Sequence, residues 1–463
     1  MSKASQANLF SELRTVAQLA SRTVSRRTGL LGGLSLSSLV AACGGGGGGG
    51  GTASTSSKTL GYVISGADAG DEAGYSVSFA GDVNKDGVAD LLIGEPAADP
   101  NSKNIAGETY LLLGGQLANL GAANGSVADG RINPSNLNGT TGYILNGIDL
   151  SDQSGWSVSS AGDVNKDGHD DLLIGAHHAK PNGKSQAGQT YLVFGDELAS
   201  LDSDNNGVID ITSAALDGTT GYIFNGIDAN DQSSLSISSA GDVNKDGRDD
   251  LLIGAPNGRG QYGTVGETYL IFGDELGALD NNSDGIINLS DLAGFNGTAG
   301  YVIKGISEFG GAKVFGASSR SVSSAGDVDG DGHFDILIGA PNSNTNGLQS
   351  GMTYLLFGSQ LETLDSADGT TDGSIDLTAA ALNGTTSYVI NGVAGDGRSG
   401  YSVSSAGDVS GDGADDLLIG AYYADPNGKT NAGETYLLLG GTSNLQSFDA
   451  QDGSTDGVLN LIA

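Results

Sequence analysis

A single cysteine in 463 residues leaves no disulfide framework to hold this chain together. Histidine is also scarce, at four. Four histidines and one cysteine supply no nucleophile–base pair that recurs along the sequence, which points away from an enzyme. Positive charge is short. Lys and Arg number 20 against 55 Asp and Glu, and the formal net charge is −35. Phosphate backbones would be repelled by such a chain, so nucleic acid is excluded as a partner, and cations are needed to relieve its own repulsion. The apolar segment from Leu30 to Ala42 is too short and too rich in Gly and Ser for a membrane span. What the chain has in quantity is glycine, 79 residues, with apolar runs recurring between the glycines. That pattern fits many tight turns in a folded protein rather than disorder.

Residues 1–43 differ from the rest and read as an export signal. Arg14, Arg22, Arg26 and Arg27 precede the apolar segment, which ends in Leu39-Val40-Ala41-Ala42-Cys43. This resembles a bacterial lipobox, in which the cysteine is acylated and becomes the first mature residue, so the resemblance implies lipidation at Cys43. Ser25-Arg26-Arg27-Thr28-Gly29-Leu30 also resembles a twin-arginine export signal, with Gly29 where that motif prefers Phe. Residues 44–60, eight glycines and then a Ser/Thr-rich stretch, form a flexible tether. Gly44 stands where Asp would favour inner-membrane retention, so by resemblance the destination is the outer membrane or cell surface. The lipid anchor would be the only contact with the membrane.

From residue 61 onward one segment organises the chain. In Gly241–Pro256, GDVNKDGRDDLLIGAP, oxygen side chains fall at alternate positions, a glycine allows a sharp turn, and an apolar strand follows. Such a loop can curl around one hard cation, with the carbonyl of the seventh residue as a further ligand. The segment recurs five times, about 80 residues apart. The predicted ligands are Asp82, Asn84, Asp86, Val88 and Asp90; Asp163, Asn165, Asp167, His169 and Asp171; and Asp242, Asn244, Asp246, Arg248 and Asp250. The last two loops add Asp327, Asp329, Asp331, His333 and Asp335, then Asp408, Ser410, Asp412, Ala414 and Asp416. Ser410 is the weakest, because a hydroxyl is a poorer ligand than a carboxylate.

Each repeat shows four strand signals, as at Tyr401–Gly407, Asp416–Gly420, Glu434–Gly440 and Gly221–Gly226. The second and third are apolar on both faces and must be covered on both, as in a blade held between two others. The pattern Gly-Asp-Val-Asn-x-Asp-Gly-x-x-Asp-Leu-Leu-Ile-Gly-Ala-Pro resembles the FG-GAP repeat of integrin alpha-chain β-propellers. Phe-Gly-like starts stand at Gly74-Tyr75, Gly155-Trp156 and Gly400-Tyr401, and Gly-Ala-Pro is intact at Gly254–Pro256 and Gly339–Pro341. The resemblance implies an all-β propeller over residues 61–463, here with five four-stranded blades. The chain enters with a fourth-type strand, Gly61–Gly66, which is expected to close the last blade and latch the ring.

A second class of acidic loop lies between the third and fourth strands. Asp280, Asn282, Asp284, Asn288 and Asp291 resemble a dockerin or EF-hand loop, and Asp202, Asp204, Asn206 and Asp210 form a shorter version. Asp368/Asp372/Asp376 and Asp452/Asp456/Asn460 carry Thr370 or Ser454 at the third position and read more weakly. About five strong Ca2+ sites are expected, with further ions in these inserts. Chain parity puts both loop classes at one end of the blades. The loops after strands two and four lie at the other end and vary most, which is where recognition usually sits. His177-His178 reads as a solvated loop, Trp156 as core, and Tyr422-Tyr423 as part of a recognition-face loop, with stacking on a carbohydrate as the lesser alternative. The expected function is a calcium-binding, envelope-anchored propeller that binds a protein or glycan, in cell adhesion. The alternatives are a surface hydrolase acting on polysaccharide or phosphoester, and a structural envelope or matrix component.

Overall fold

The computed structural model describes residues 61–123, 130–260, 263–305, 308–309, 312–313, 318–377, 382–393 and 395–461. The export signal, Cys43 and the tether lie outside the described residues. No described helix is long and apolar enough to cross a membrane.

Five antiparallel sheets follow one another along the chain, one per repeat. In the third repeat Ser236–Gly241 pairs with Asp250–Ala255, which pairs with Glu267–Ile271, which pairs with Gly300–Lys304. The second and third strands are buried along their whole length here. They carry Leu, Ile and Tyr on both faces, so both faces need apolar cover. Neighbouring sheets provide it. Apolar layers lie between successive sheets, such as the one uniting Leu252, Leu270 and Phe272 of the third repeat with Ile336, Ile338 and Tyr354 of the fourth. First strands pack against one another in chain order, from Ser76–Gly81 to Ser402–Gly407. This is the all-β, propeller-like stacking the sequence pattern predicts.

Strand count per sheet departs from four. The first four sheets have five strands, because each insert sends a short parallel strand back to the preceding sheet. Val208–Asp210 pairs with Ile144, Leu145 and Asn146, and Ile286–Asn288 pairs with Ile223, Phe224 and Asn225. The inserts also contain short helices, Leu198–Leu201, Leu276–Leu279 and Leu361–Asp365 among them, which pattern reading misses because they are barely one turn long.

The latch is corrected by the strand pairing. The last sheet has three strands among the described residues, and Glu434–Leu438 pairs on one side alone. Val63–Ile64 runs parallel to Arg131–Ile132 of the first insert instead. The reason is visible in the repeat itself. Every fourth strand pairs with the next repeat's insert strand and packs on the next sheet. The N-terminal strand keeps that relation: Tyr62 and Ile64 cover Ile93, Tyr110, Leu112 and Ile132 of the first repeat. Large exposed apolar side chains accordingly gather on the end sheets, Val77 and Phe79 at one end and Leu418, Leu437 and Leu439 at the other.

Candidate metal loops and axial mouth

The five acidic loops connect first to second strands. In the third, the Asp242 carboxylate accepts from the backbone N–H of Asp246 at 3.0 Å and of Gly247 at 3.0 Å. Asn244 Oδ1 accepts from Asp246 N, and Asp246 Oδ1 from Arg248 N. Gly247 sits at φ 87°, where a side chain would be strained. Asp82 and Asp163 bind their loops in the same way. Asp327 accepts from Gly330 N and Gly332 N, and Asp408 from Gly411, Asp412 and Gly413 N–H groups. Ser410 Oγ lies 3.4 Å from Asp408, a weak contact.

The ninth residue has a task the sequence does not announce. Asp90, Asp171, Asp250, Asp335 and Asp416 are fully or almost fully buried. Asp250 accepts from Val243 N at 2.9 Å and from Gly273 N at 3.0 Å, tying the loop to the end of the third strand. Burial, opposed by two such backbone donors at each residue, pushes Asp171, Asp250 and Asp335 up to about 8. Such carboxylates lack a counter-charge. Asp327, Asp329 and Asp335 bring ligand oxygens within 4.8 Å of one another, and Asp246 Oδ2 is buried without accepting a hydrogen bond. Two carboxylates missed in the sequence stand close by. Burial and the neighbouring Asp167 raise Asp196, and burial and Asp246 raise Asp274. The donor set fits a hard divalent cation.

The loops are also coupled to one another. Asp163 N donates to Asp249 Oδ2 of the next repeat at 2.8 Å, as Asp82 N does to Asp170 and Asp327 N to Asp415. Gly162 makes room for this, since a Cβ there would meet the Asp249 carboxylate at 2.1 Å. Lys166 Nζ donates forward to the Asp246 carbonyl. His169 Nδ1 lies 2.8 Å from the Val83 carbonyl, His333 Nδ1 2.8 Å from that of Val243, and Arg248 donates to that of Val164. The seventh loop residue therefore acts through its side chain as well as through the carbonyl the sequence singles out. The signal was present as a recurring Asp before the ninth position and a recurring Lys at the fourth.

In the inserts, Asp202 holds Asn206 N and Gly207 N, and Asp280 holds Asp284 N and Gly285 N, each in an EF-hand-like turn. Asp204 and Asn282 join these turns as acceptor and donor. Asp210 and Asn288 turn outward to the preceding sheet, where they accept from Asn146 and Asn225. Asp291 contacts Asn288 at 3.4 Å. In the two later inserts the leading acid is not the expected one. Asp365 and Asp449, both buried, hold Gly373 N and Gly457 N, while Asp368 and Asp452 cap their own turns at Thr370 and Ser454.

At the opposite end of the first strands lies an axial mouth. Tyr75, Trp156, Leu235, Arg320 and Tyr401 occupy one position in the five repeats and line a single opening. Trp156 is half-buried there, not core: its ring lies 4.4 Å from Tyr75 and 4.1 Å from His177. His177 is buried rather than solvated, and burial, then His178 and Arg320, push it down to about 3. Tyr401 stacks on Tyr422 at 4.3 Å.

An all-β stack of acidic-loop repeats with one aromatic mouth defines a propeller-like binding protein built of FG-GAP repeats. The FG-GAP repeat family matches residues 73–112, 154–193, 235–270, 319–356 and 399–438, so the chain carries five FG-GAP repeats, and it is similar to integrin alpha chains. It is 27% identical to integrin alpha-5 of Xenopus laevis, over 58% of this chain and 20% of that protein. It is 29% identical to a phosphatidylinositol-glycan-specific phospholipase D of Rattus norvegicus, over 48% of this chain and 23% of that one. Integrin alpha-PS2 of Drosophila melanogaster matches at 32% over 30% of this chain and 9% of its own length. The chain thus spans less than a quarter of the length of these relatives.

Proposed function

We propose that this is a calcium-stabilised FG-GAP propeller, exported and lipid-anchored at the cell envelope, that binds a protein or glycan and serves in adhesion. The observation that supports it best is the division of labour along the first strands. Acidic loops gather at one end, and the aromatic mouth opens at the other, among the loops after the second and fourth strands. Variable loops on a rigid scaffold suit recognition. The loop residues named above would hold Ca2+, which would cancel carboxylate repulsion and brace the turns. The test is a glycan and protein array run beside a hydrolase panel. A specific array hit with no turnover supports binding. Hydrolysis without a retained ligand would favour the enzymatic reading, which the similarity to the phospholipase keeps in play.

The anchor is tested separately. Cys43→Ser is expected to release the protein from the membrane fraction or block its maturation. A variant that is processed and sediments with membranes like the parent would overturn lipidation.

A further inference from the structure

In a chain of formal net charge −35, the mouth holds an exception. A cavity of about 240 Å³ opens beside the axis, and no Asp or Glu lines it. Its charged side chains are Arg320 and Arg398. Arg320 is held by neutral groups, and Arg398 by neutral groups and one long ion pair. Arg320 Nη2 donates to Tyr401 Oη at 3.1 Å, with the guanidinium 5.1 Å from that ring's centre. Arg398 donates to Tyr422 Oη at 3.0 Å and to Gln349 Oε1 at 3.0 Å, and lies 4.7 Å over the Tyr423 ring. Its Nε is buried without a hydrogen-bond partner and makes a long ion pair of 3.9 Å with the exposed Asp396 carboxylate. Arg320 makes no ion pair among the described residues. A guanidinium has five N–H donors in a planar fork, so most of Arg320's remain for a ligand.

The remaining walls say what kind of anion fits. Gln232, Asn257 and Asn342 present uncharged amides that can both donate and accept, and Pro256 and Pro341 add apolar surface. Tyr401 and Tyr422 present ring surface, both more than a third exposed. Amides read hydroxyl groups, aromatic rings take the apolar face of a sugar, and a guanidinium fork takes a carboxylate in two hydrogen bonds. We propose that this cavity binds an acidic sugar, a uronate-type ring within a polysaccharide, with Arg320 and Arg398 on the carboxylate. The surrounding negative charge would repel polyanions that lack this fit, so the two arginines act as a filter as well as an anchor. The assignment rests on the ligand-binding reading above and narrows it to one chemistry.

Trp156, the one tryptophan of the chain, lines the adjoining opening, which shares Arg320 and Tyr401 with this cavity, so its emission is the probe of occupancy. The full chain with calcium is titrated with oligogalacturonate, with the same oligomer after reduction of its carboxyl groups, and with poly-aspartate. Oligogalacturonate is expected to shift the emission saturably, and the reduced oligomer to bind about tenfold or more weakly. Arg320→Gln and Arg398→Gln should each weaken binding about tenfold while melting like the parent. Arg320→Lys should recover part of the loss, which a general folding defect would not allow. Equal binding of acidic and reduced oligomers, equal binding of poly-aspartate, or indifference to both arginine substitutions overturns the proposal. Array ligands that bind regardless of Arg320 and Arg398 would do the same while leaving the propeller a binding protein. Silence on both array and titration would remove the two readings together.

Discussion

Glu108 shows at the level of one residue how a local exception carries a measurable cost. It begins the third strand of the first repeat, where the second repeat has Gln189 and the fourth Met352. Its neighbour Glu95 is fully buried and accepts from Tyr110. Burial, then the Glu95 and Asp71 charges, push Glu108 up to about 7 from an ordinary 4.5. The folded state therefore holds this proton more tightly than the unfolded one. Its favourable contribution is complete below pH about 4.5 and is lost as pH rises through about 7. Glu108→Gln is expected to melt roughly 2–4 °C above the parent at pH 8 and to converge with it at pH 4, in thermal scans at both values. A variant that melts below the parent at pH 8 would mean that Glu108 is paired with a cation there. The ninth loop residues follow the same physics with a different remedy. An ion bound there would supply the charge that Asp250 lacks.

At the level of the element, the N-terminal strand decides how the first sheet is covered. Ile64 packs onto Tyr110, Leu112 and Ile132, whereas Val63 points away and is 53% exposed. Ile64→Ala is expected to cost about 1–3 kcal/mol, the lower part of the range for buried aliphatic truncations. Val63→Ala should stay within about 0.5 kcal/mol of the parent. Both are read from denaturant unfolding midpoints. A loss at Val63 as large as that at Ile64 would mean that the strand is covered on both faces, as a latch into Glu434–Leu438 requires. The sequence marks this strand clearly, because Gly61–Gly66 has the same pattern as Gly142–Asn146. It does not say which neighbour the strand takes. Strand pattern records which faces are apolar, and the first sheet and the last both offer an apolar face.

For the whole molecule, the acidic loops set how stability is expected to depend on divalent ions. Several carboxylates a few ångströms apart cost roughly 1 kcal/mol or more per pair even in a wet setting. Ions bound only by the folded state would contribute about 2.7 kcal/mol per site at a hundredfold excess over the dissociation constant. Chelation is expected to lower the melting temperature sharply, and calcium to restore it better than magnesium, since irregular oxygen-rich loops suit the larger ion. Asp242→Ala should abolish more of that calcium-dependent rise than Ser410→Ala, because Asp242 offers a carboxylate that organises its loop and Ser410 only a hydroxyl in weak contact. Equal calcium responses in both variants, or a parent indifferent to chelator, would reduce the loops to turns. The sequence by itself determined the repeat, the strand faces, the turn glycines and the alternating oxygen side chains of each loop, because these depend on residues close together in the chain. Tertiary structure decided the rest. Asp170, Asp249 and Asp415 gain meaning only beside the loop of the preceding repeat, 86 to 88 residues away. Asp365 and Asp449 displace the expected leading acids because short helices lengthen those turns. Arg320 and Arg398 line one cavity only because successive sheets pack side by side, a juxtaposition of distant positions that no local pattern encodes.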